Sequence, residues 1–419
     1  MQRFAMRGGL SKDDPIAIDL TTDELRERLS TSQNRQTCID NFKKHCAELV
    51  PASIDPYPAI VFLGTASAVP SKYRNVSGYL LRLSETSNVL IDCGEGVYGQ
   101  IRVLYGDDEC HRIMVNLNVL LITHAHQDHM NGLYLIIIKR IEAFKCLGYE
   151  YRPLIVVCNR NVRKPMAIYS RNFDDIERFV KIVDVSMFMK SKSPLREVNF
   201  YSEENKLVSN GSKDYDQRVM IDLTLHLPES LYSAESWNLR QVKAVQVHHT
   251  RMANGFIFVD HKNGRKMVFS GDTMPCDVLV EQGRDADVLV HECTFEDGFE
   301  DDAFRKRHST MGQALNVGRR MRAKNVILSH FSARYTRIPP LPDYLLEAGN
   351  VSVAMDNMVA RFDYLPILPK LLPVFRELFA VELFDLQVKF SQRNLRKAAS
   401  EQLPRKQHLA EAIFNSAGN

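Results

Sequence analysis

The stretch THAHQDHMNG, residues 123–132, places three histidines and an aspartate within six positions, directly after the apolar run VNLNVLLI. Imidazole nitrogens and carboxylate oxygens are the usual ligands of zinc-like ions, and a metal site needs several of them converging on one point. A lone histidine after a strand is ordinarily a hydrogen-bonded side chain. His124, His126, Asp128 and His129 together would bury several ionisable groups without compensation unless they hold metal. The spacing therefore predicts a metal site at a strand end, with Gly132 and a helix starting near Met130 closing the loop.

Further residues of the same chemistry follow along the chain. His249 in VQVHHTRMANGF, Asp272 in FSGDT and His330 in ILSHF each end a strand-like run, and His248 stands beside the first of them. Asp92 in LIDCGEG lies between apolar residues and glycines that allow a tight turn. HECTFEDG carries His291 and Glu292, and HSTMGQA opens a helix at His308. A histidine there can give a proton to a leaving group, and a carboxylate such as Glu292 can orient it or simply be a satisfied structural group. In PSKYRN, Lys72 and Arg74 can grip phosphates, while Asn75 can hydrogen-bond a base or the backbone; alone, the loop reads equally well as an exposed turn.

The elements that must position these groups are strands and helices in alternation. AIVFLG, GYLLRL, NVLIDCG, VNLNVLLITH and PLIVVC, then VKAVQVHH, GFIFVD, KMVFSGD, ADVLVHE and KNVILSH, read as strands. MNGLYLIIIKRIEAFKCLG and HSTMGQALNVGRRMRA read as helices, so the class is α/β with much sheet. Strands ending in His or Asp suit a layered scaffold whose loops carry the catalytic side chains. Residues 1–55 read as a polar, helix-leaning extension, with TTDELRERL carrying a capping pattern. Pro51, Pro56 and Pro58 precede the catalytic domain, placed at 56–380, and 381–419 form a basic helix and tail with Arg393, Arg396, Lys397, Arg405 and Lys406. Between Arg160 and Arg240 the pattern weakens.

Composition bounds the rest. The 54 Lys+Arg against 51 Asp+Glu leave net +3, which neither demands nor excludes a nucleic-acid partner, so any basic surface is local. Eight cysteines without a CxxC pair suggest a reduced intracellular protein, and the apolar runs are too short to span a bilayer. The opening MQRFAMRGGL, with Arg3 and Arg7 and no acid before Asp13, faintly suggests organelle targeting.

HAHQDH resembles the His-x-His-x-Asp-His signature of the metallo-β-lactamase superfamily, and His249, Asp272 and His330 follow in its order. The resemblance implies a four-layer αββα sandwich and two Zn²⁺ ions. His124, His126 and His249 would hold one, Asp128, His129 and His330 the other, with the Asp272 carboxylate between them. Of the adjacent pair, His249 rather than His248 matches the ligand position, and Asp92 matches a carboxylate that braces the ligand loop.

FLGTASAVPSKYRNVSG, SGDTMPCDVLV, HECTFEDG, HSTMGQA and YLPILPKLLP together resemble tRNase Z, most closely the C-terminal catalytic half of its long eukaryotic form, over about Ala59 to Leu378. This implies an endoribonuclease that removes the 3′ trailer of precursor tRNA after the discriminator nucleotide, leaving a tRNA 3′-hydroxyl. Asp128 would take a proton from the attacking water and His308 would protonate the leaving 3′-oxygen. Lys72, Arg74 and Asn75 would sense the acceptor end and help reject tRNA already carrying CCA. Nucleus or mitochondrion is the implied location. No stretch here matches the family's flexible tRNA-gripping arm, so the expectation is a whole catalytic centre with weakened grip, relieved by pairing with a second copy or with an arm-bearing half. The competing expectations are a hydrolase of small phosphodiesters or esters and a non-catalytic truncated isoform.

Overall fold

Strand β1 (Ala59–Gly64) buries all six of its residues, which only a strand covered on both faces can do. In the computed structural model, which describes residues 33–49, 55–187, 220–225, 238–335 and 337–393, β1 lies inside a sheet with helices on one side and a second sheet on the other. Ile60 and Phe62 point to the core between the sheets, and Val61 and Leu63 to the core under the helices, as the two-residue strand period requires.

The first sheet continues with β2 (Gly78–Arg82), β3 (Asn88–Ile91), β4 (Leu117–Leu121), β5 (Leu154–Cys158) and β6 (Val180–Asp184). The second contains β7 (Met220–Asp222), β8 (Leu239–Gln246), β9 (Asn254–Asp260), β10 (Lys266–Phe269), β11 (Val288–Glu292), β12 (Val326–Ser329) and β13 (Val351–Val353). β14 (Met358–Arg361) returns to pair antiparallel with β1. The strand orders are β14-β1-β2-β3-β4-β5-β6 and β13-β12-β11-β10-β9-β8-β7.

The sheets face each other across a core of Phe62, Tyr79, Phe256, Phe258 and Phe269 with aliphatic neighbours. Tyr79 packs edge-on to Phe62 at 5.6 Å between ring centroids, and its hydroxyl donates across to Ser329 Oγ at 3.2 Å. Helices Val97–Tyr105, Asp107–Val115, Leu133–Cys146 and Arg160–Asn172 cover the outside of the first sheet, and Asp277–Gln282 and Met311–Met321 that of the second. The four layers are thus α, β, β, α, as the resemblance implies.

Two features differ from the sequence expectation. The helix after the histidine cluster is split into a single turn, Gln127–Met130, and the longer Leu133–Cys146, with Gly132 between them so close to the Gly94 carbonyl that a Cβ would lie 2.3 Å from it. Where the pattern weakens after Arg160, an amphipathic helix runs to Asn172, capped by the Asn159 side chain. Helix Gln33–Leu49 packs on the segment Phe362–Leu378. TTDELRERL, residues 188–219 and the tail from 394 lie outside the described residues.

Parallel pairing sets the site. β3 and β4 run parallel in the first sheet, and β10, β11 and β12 in the second, so their carboxyl ends gather along one edge of the sandwich. Asp92, His124, Asp272, Glu292 and His330 all stand at those ends.

Candidate metal centre

Asp92 builds the ligand loop. Its Oδ1 accepts the Thr123 backbone N–H at 2.8 Å and its Oδ2 lies 2.7 Å from His129 Nδ1. Asp92, Ala68 and His330 all have left-handed backbone (φ 57°, 67° and 59°), a local cost that the surrounding hydrogen bonds maintain. Ala68 in turn gives its N–H to Asp128 Oδ2 at 2.7 Å.

The structure brings the seven predicted ligands into two groups. His124, His126, His249 and Asp272 each present one donor atom within 4.8 Å of the others, as do Asp128, His129 and His330. Asp272 joins them: its Oδ2 is 3.6 Å from His124 Nε2, 3.6 Å from His249 Nε2 and 3.3 Å from His129 Nε2, while Oδ1 is 3.3 Å from His330 Nε2. All are buried except His126, which is exposed at the rim. His248 belongs to neither group.

The donor set fits zinc. It is wholly nitrogen and oxygen, and four of the five imidazoles have Nδ1 engaged outside the cluster, leaving Nε2 to face inward. Nδ1 of His124 meets Thr123 Oγ1 at 3.0 Å, that of His129 meets Asp92, that of His249 meets the Arg307 carbonyl at 2.8 Å, and that of His330 meets Thr294 Oγ1 at 2.9 Å. Burial pushes the His124 imidazole well down and His249 down to about 4, so both are neutral and able to donate a lone pair.

His308 stands beside this cluster, its Nδ1 4.0 Å from Asp272 Oδ2. Burial works against its charged form, but Glu292, 2.8 Å away, reverses that and raises its pKa. Glu292 is fully used: Oε1 accepts from His308 Nδ1 and from the N–H groups of Thr273 and Ser309, and Oε2 from the Thr294 N–H and hydroxyl. It therefore holds the HST loop, the Asp272 loop and the His330 neighbour in one place. His291 is completely buried.

The loop PSKYRN divides. Lys72 is exposed and Asn75 half-buried against Gly96, but Arg74 corrects the expectation of a second phosphate-gripping cation. Its side chain turns inward, 3% exposed, donating to Thr65 Oγ1 and to the carbonyls of Ala354 at 3.3 Å and Arg337 at 2.8 Å. Asp356, beside it, accepts the Thr65 hydroxyl and the Asn75 N–H. Arg74 thus fastens the loop from within.

Thr123, Thr294 and Arg307 also hold the site, though their residue types give no signal of it in the sequence. Thr294 was visible as the last residue of His-Glu-x-Thr, but nothing in one dimension shows that its hydroxyl joins Glu292 to His330. Arg307 has left-handed backbone, accepts from His249 Nδ1 through its carbonyl, and returns a bond from Nη1 to the His249 carbonyl at 2.8 Å.

Comparison with known proteins follows the same lines. Residues 221–331 match the family described as the beta-lactamase superfamily domain, and residues 58–149 that of the anti-Pycsar protein Apyc1. The chain is 51% identical over 397 residues to a zinc phosphodiesterase ELAC protein 2 homolog of Caenorhabditis elegans, covering 94% of this chain and 46% of the relative. It is 33% identical to the mitochondrial ribonuclease Z of Drosophila melanogaster, covering 98% of this chain and 48% of that protein. The fold matches the long-form RNase Z from yeast with a TM-score of 0.62 at 23% identity, over 79% of this chain and 45% of that one. This chain spans about half the length of these relatives.

Proposed function

Because this chain belongs to the metallo-β-lactamase superfamily and is a homologue of the ELAC protein 2 and ribonuclease Z proteins, we propose that it is a zinc-dependent endoribonuclease removing the 3′ trailer from precursor tRNA. The observation that carries the reading is Asp272 standing against both ligand groups, with His308 4.0 Å from it. His124, His126 and His249 would hold one ion, Asp128, His129 and His330 a second, and Asp272 would face both. Bound there, zinc supplies positive charge to the phosphoryl group and acidifies the attacking water.

The chain's own groups do the rest. Asp128, its Oδ2 fixed by the Ala68 N–H, receives the water proton as the new bond to phosphorus forms. The bond from phosphorus to the 3′-oxygen of the discriminator nucleotide breaks, and His308 gives that oxygen a proton. Glu292 occupies His308 Nδ1, which leaves Nε2 as the atom that delivers it. The products are a tRNA 3′-hydroxyl and a trailer 5′-phosphate. Lys72 and Asn75 border the acceptor end, on a loop whose shape Arg74 sets.

Mitochondrion or nucleus is the proposed location; no helix among the described residues is long and apolar enough to cross a membrane. The test is cleavage of a 3′-extended tRNA by the purified chain, with and without chelator, against a CCA-ended counterpart. Hydrolysis of bis-p-nitrophenyl phosphate with no action on precursor tRNA would favour the small-phosphodiester reading, and a purified protein free of zinc the non-catalytic one.

A further inference from the structure

Phe295 and Phe299 form a buried aromatic floor beside His308. Their rings are 6.3 Å apart, and Phe295 is 6.1 Å from the His308 imidazole. Three cations rest on this floor. Lys306 Nζ is 5.8 Å from the Phe295 centroid, the Arg334 guanidinium 5.3 Å from Phe295 and 4.4 Å from Phe299, and the Arg393 guanidinium 3.3 Å from Phe299. Arg393 is neutralised by Asp302 at 3.2 Å. Among the described residues, Lys306 and Arg334 make no ion pair, and both are exposed. Glu296 and Asp302 are the acids nearest Arg334, and burial pushes the Glu296 carboxyl upward.

Gathering three cations on two rings costs repulsion, which the ring faces and the carboxylates of Asp302 and Glu296 offset in part. A stacked guanidinium also keeps its donors in a fixed plane, ready for a phosphate. The position of the pair gives it a partner. Lys306 precedes the proton donor His308 by two residues, and Arg334 follows the ligand His330 by four. The group that meets the 3′-oxygen borders the nucleotide carrying it, so the cations next to that group lie toward the strand on the 5′ side of the cut.

We propose that Lys306 and Arg334, seated on Phe295 and Phe299, bind backbone phosphates of the 3′ strand of the tRNA acceptor stem; this rests on the precursor-tRNA reading above. The site supplies local grip at the cut itself, independent of any elbow-holding arm.

The experiment is fluorescence anisotropy of the full chain, zinc-loaded, with two probes across a salt series: an acceptor-stem hairpin ending at the discriminator nucleotide, and a free 5′-phosphorylated trailer oligonucleotide. Lys306→Ala/Arg334→Ala should weaken the hairpin about tenfold or more and lower its log–log salt slope by about two, since each lost phosphate contact removes about one. Trailer binding should change less than about twofold. Lys306→Ala alone, at an exposed helix end, should lower the slope by about one, and Arg334→Lys should retain it. An unchanged hairpin slope, an equal loss for the trailer, or no hairpin binding by the wild-type chain overturns the proposal. Binding is read without turnover, so a chain that binds through these residues and cuts no precursor refutes the nuclease reading and leaves this site standing.

Discussion

Glu292 Oε1 accepts a hydrogen bond from His308 Nδ1 at 2.8 Å, while its other oxygen holds the Thr294 hydroxyl that meets the Nδ1 of His330. One carboxylate thus aligns the proposed proton donor and a proposed ligand histidine together. Glu292→Gln should lower single-turnover cleavage by about 100-fold, within the usual range for a disabled general acid. His308→Ala should keep most of its bound zinc, since His308 is not among the seven proposed ligands, although its ring stands close enough to Asp272 and His330 to join them. Full turnover in His308→Ala would remove it as the acid.

Asp92 is not among the seven proposed ligands but fixes one of them, His129, together with Thr123. Asp92→Ala is therefore expected to weaken zinc binding by 10- to 100-fold, roughly the effect of losing such an outer partner. Competition with a chromogenic chelator measures this. Asp128→Ala and Asp272→Ala should bind less zinc and cleave no precursor; either variant with full activity would refute the site.

Arg74 and Lys72 are two positions apart and should behave oppositely. Arg74→Ala removes the donors to Thr65 and to the Ala354 and Arg337 carbonyls and opens a gap behind the loop, a change costing about 2–4 kcal/mol. Its melting midpoint should fall clearly. Lys72→Ala should melt like wild type and change KM for precursor tRNA. Equal melting of the two variants would contradict the inward placement of Arg74.

Burial pushes the Asp356 carboxyl up to about 6. The folded state thus holds this proton more tightly than the unfolded chain, whose carboxyl titrates near 4. Its contribution favours folding below that lower value and is lost as pH rises to about 6. Asp356→Asn keeps an acceptor oxygen and abolishes the titration. The stability difference between variant and wild type, from urea melts, should shift in favour of the variant from pH 4 to 6 and then level off; a constant difference would show that Asp356 titrates alike in the folded and unfolded states.

Much of this was legible in the chain. Four potential ligands in six residues, and His249, Asp272 and His330 each at the end of an apolar run, announce both the chemistry and the strands that deliver it. Arg74 was not legible, because its neighbours Lys72 and Tyr73 are exposed and its carbonyl partners at Arg337 and Ala354 lie far along the chain. Glu292 also needed three dimensions, since a buried carboxylate and a positioning one read alike until its partners are known.

The hydroxyl of Tyr79 reaches from the first sheet to Ser329 in the second, one residue before His330. The ligands themselves divide the same way, four following β4 and three carried by the opposite sheet. The packing between the sheets is therefore a gauge that sets the spacing of the two groups of proposed ligands. Repacking Phe62, Tyr79 or Phe269 with side chains of altered thickness would retune the centre from a distance, and a lesion deep in the hydrophobic interior could surface as altered metal selectivity before any loss of fold is seen.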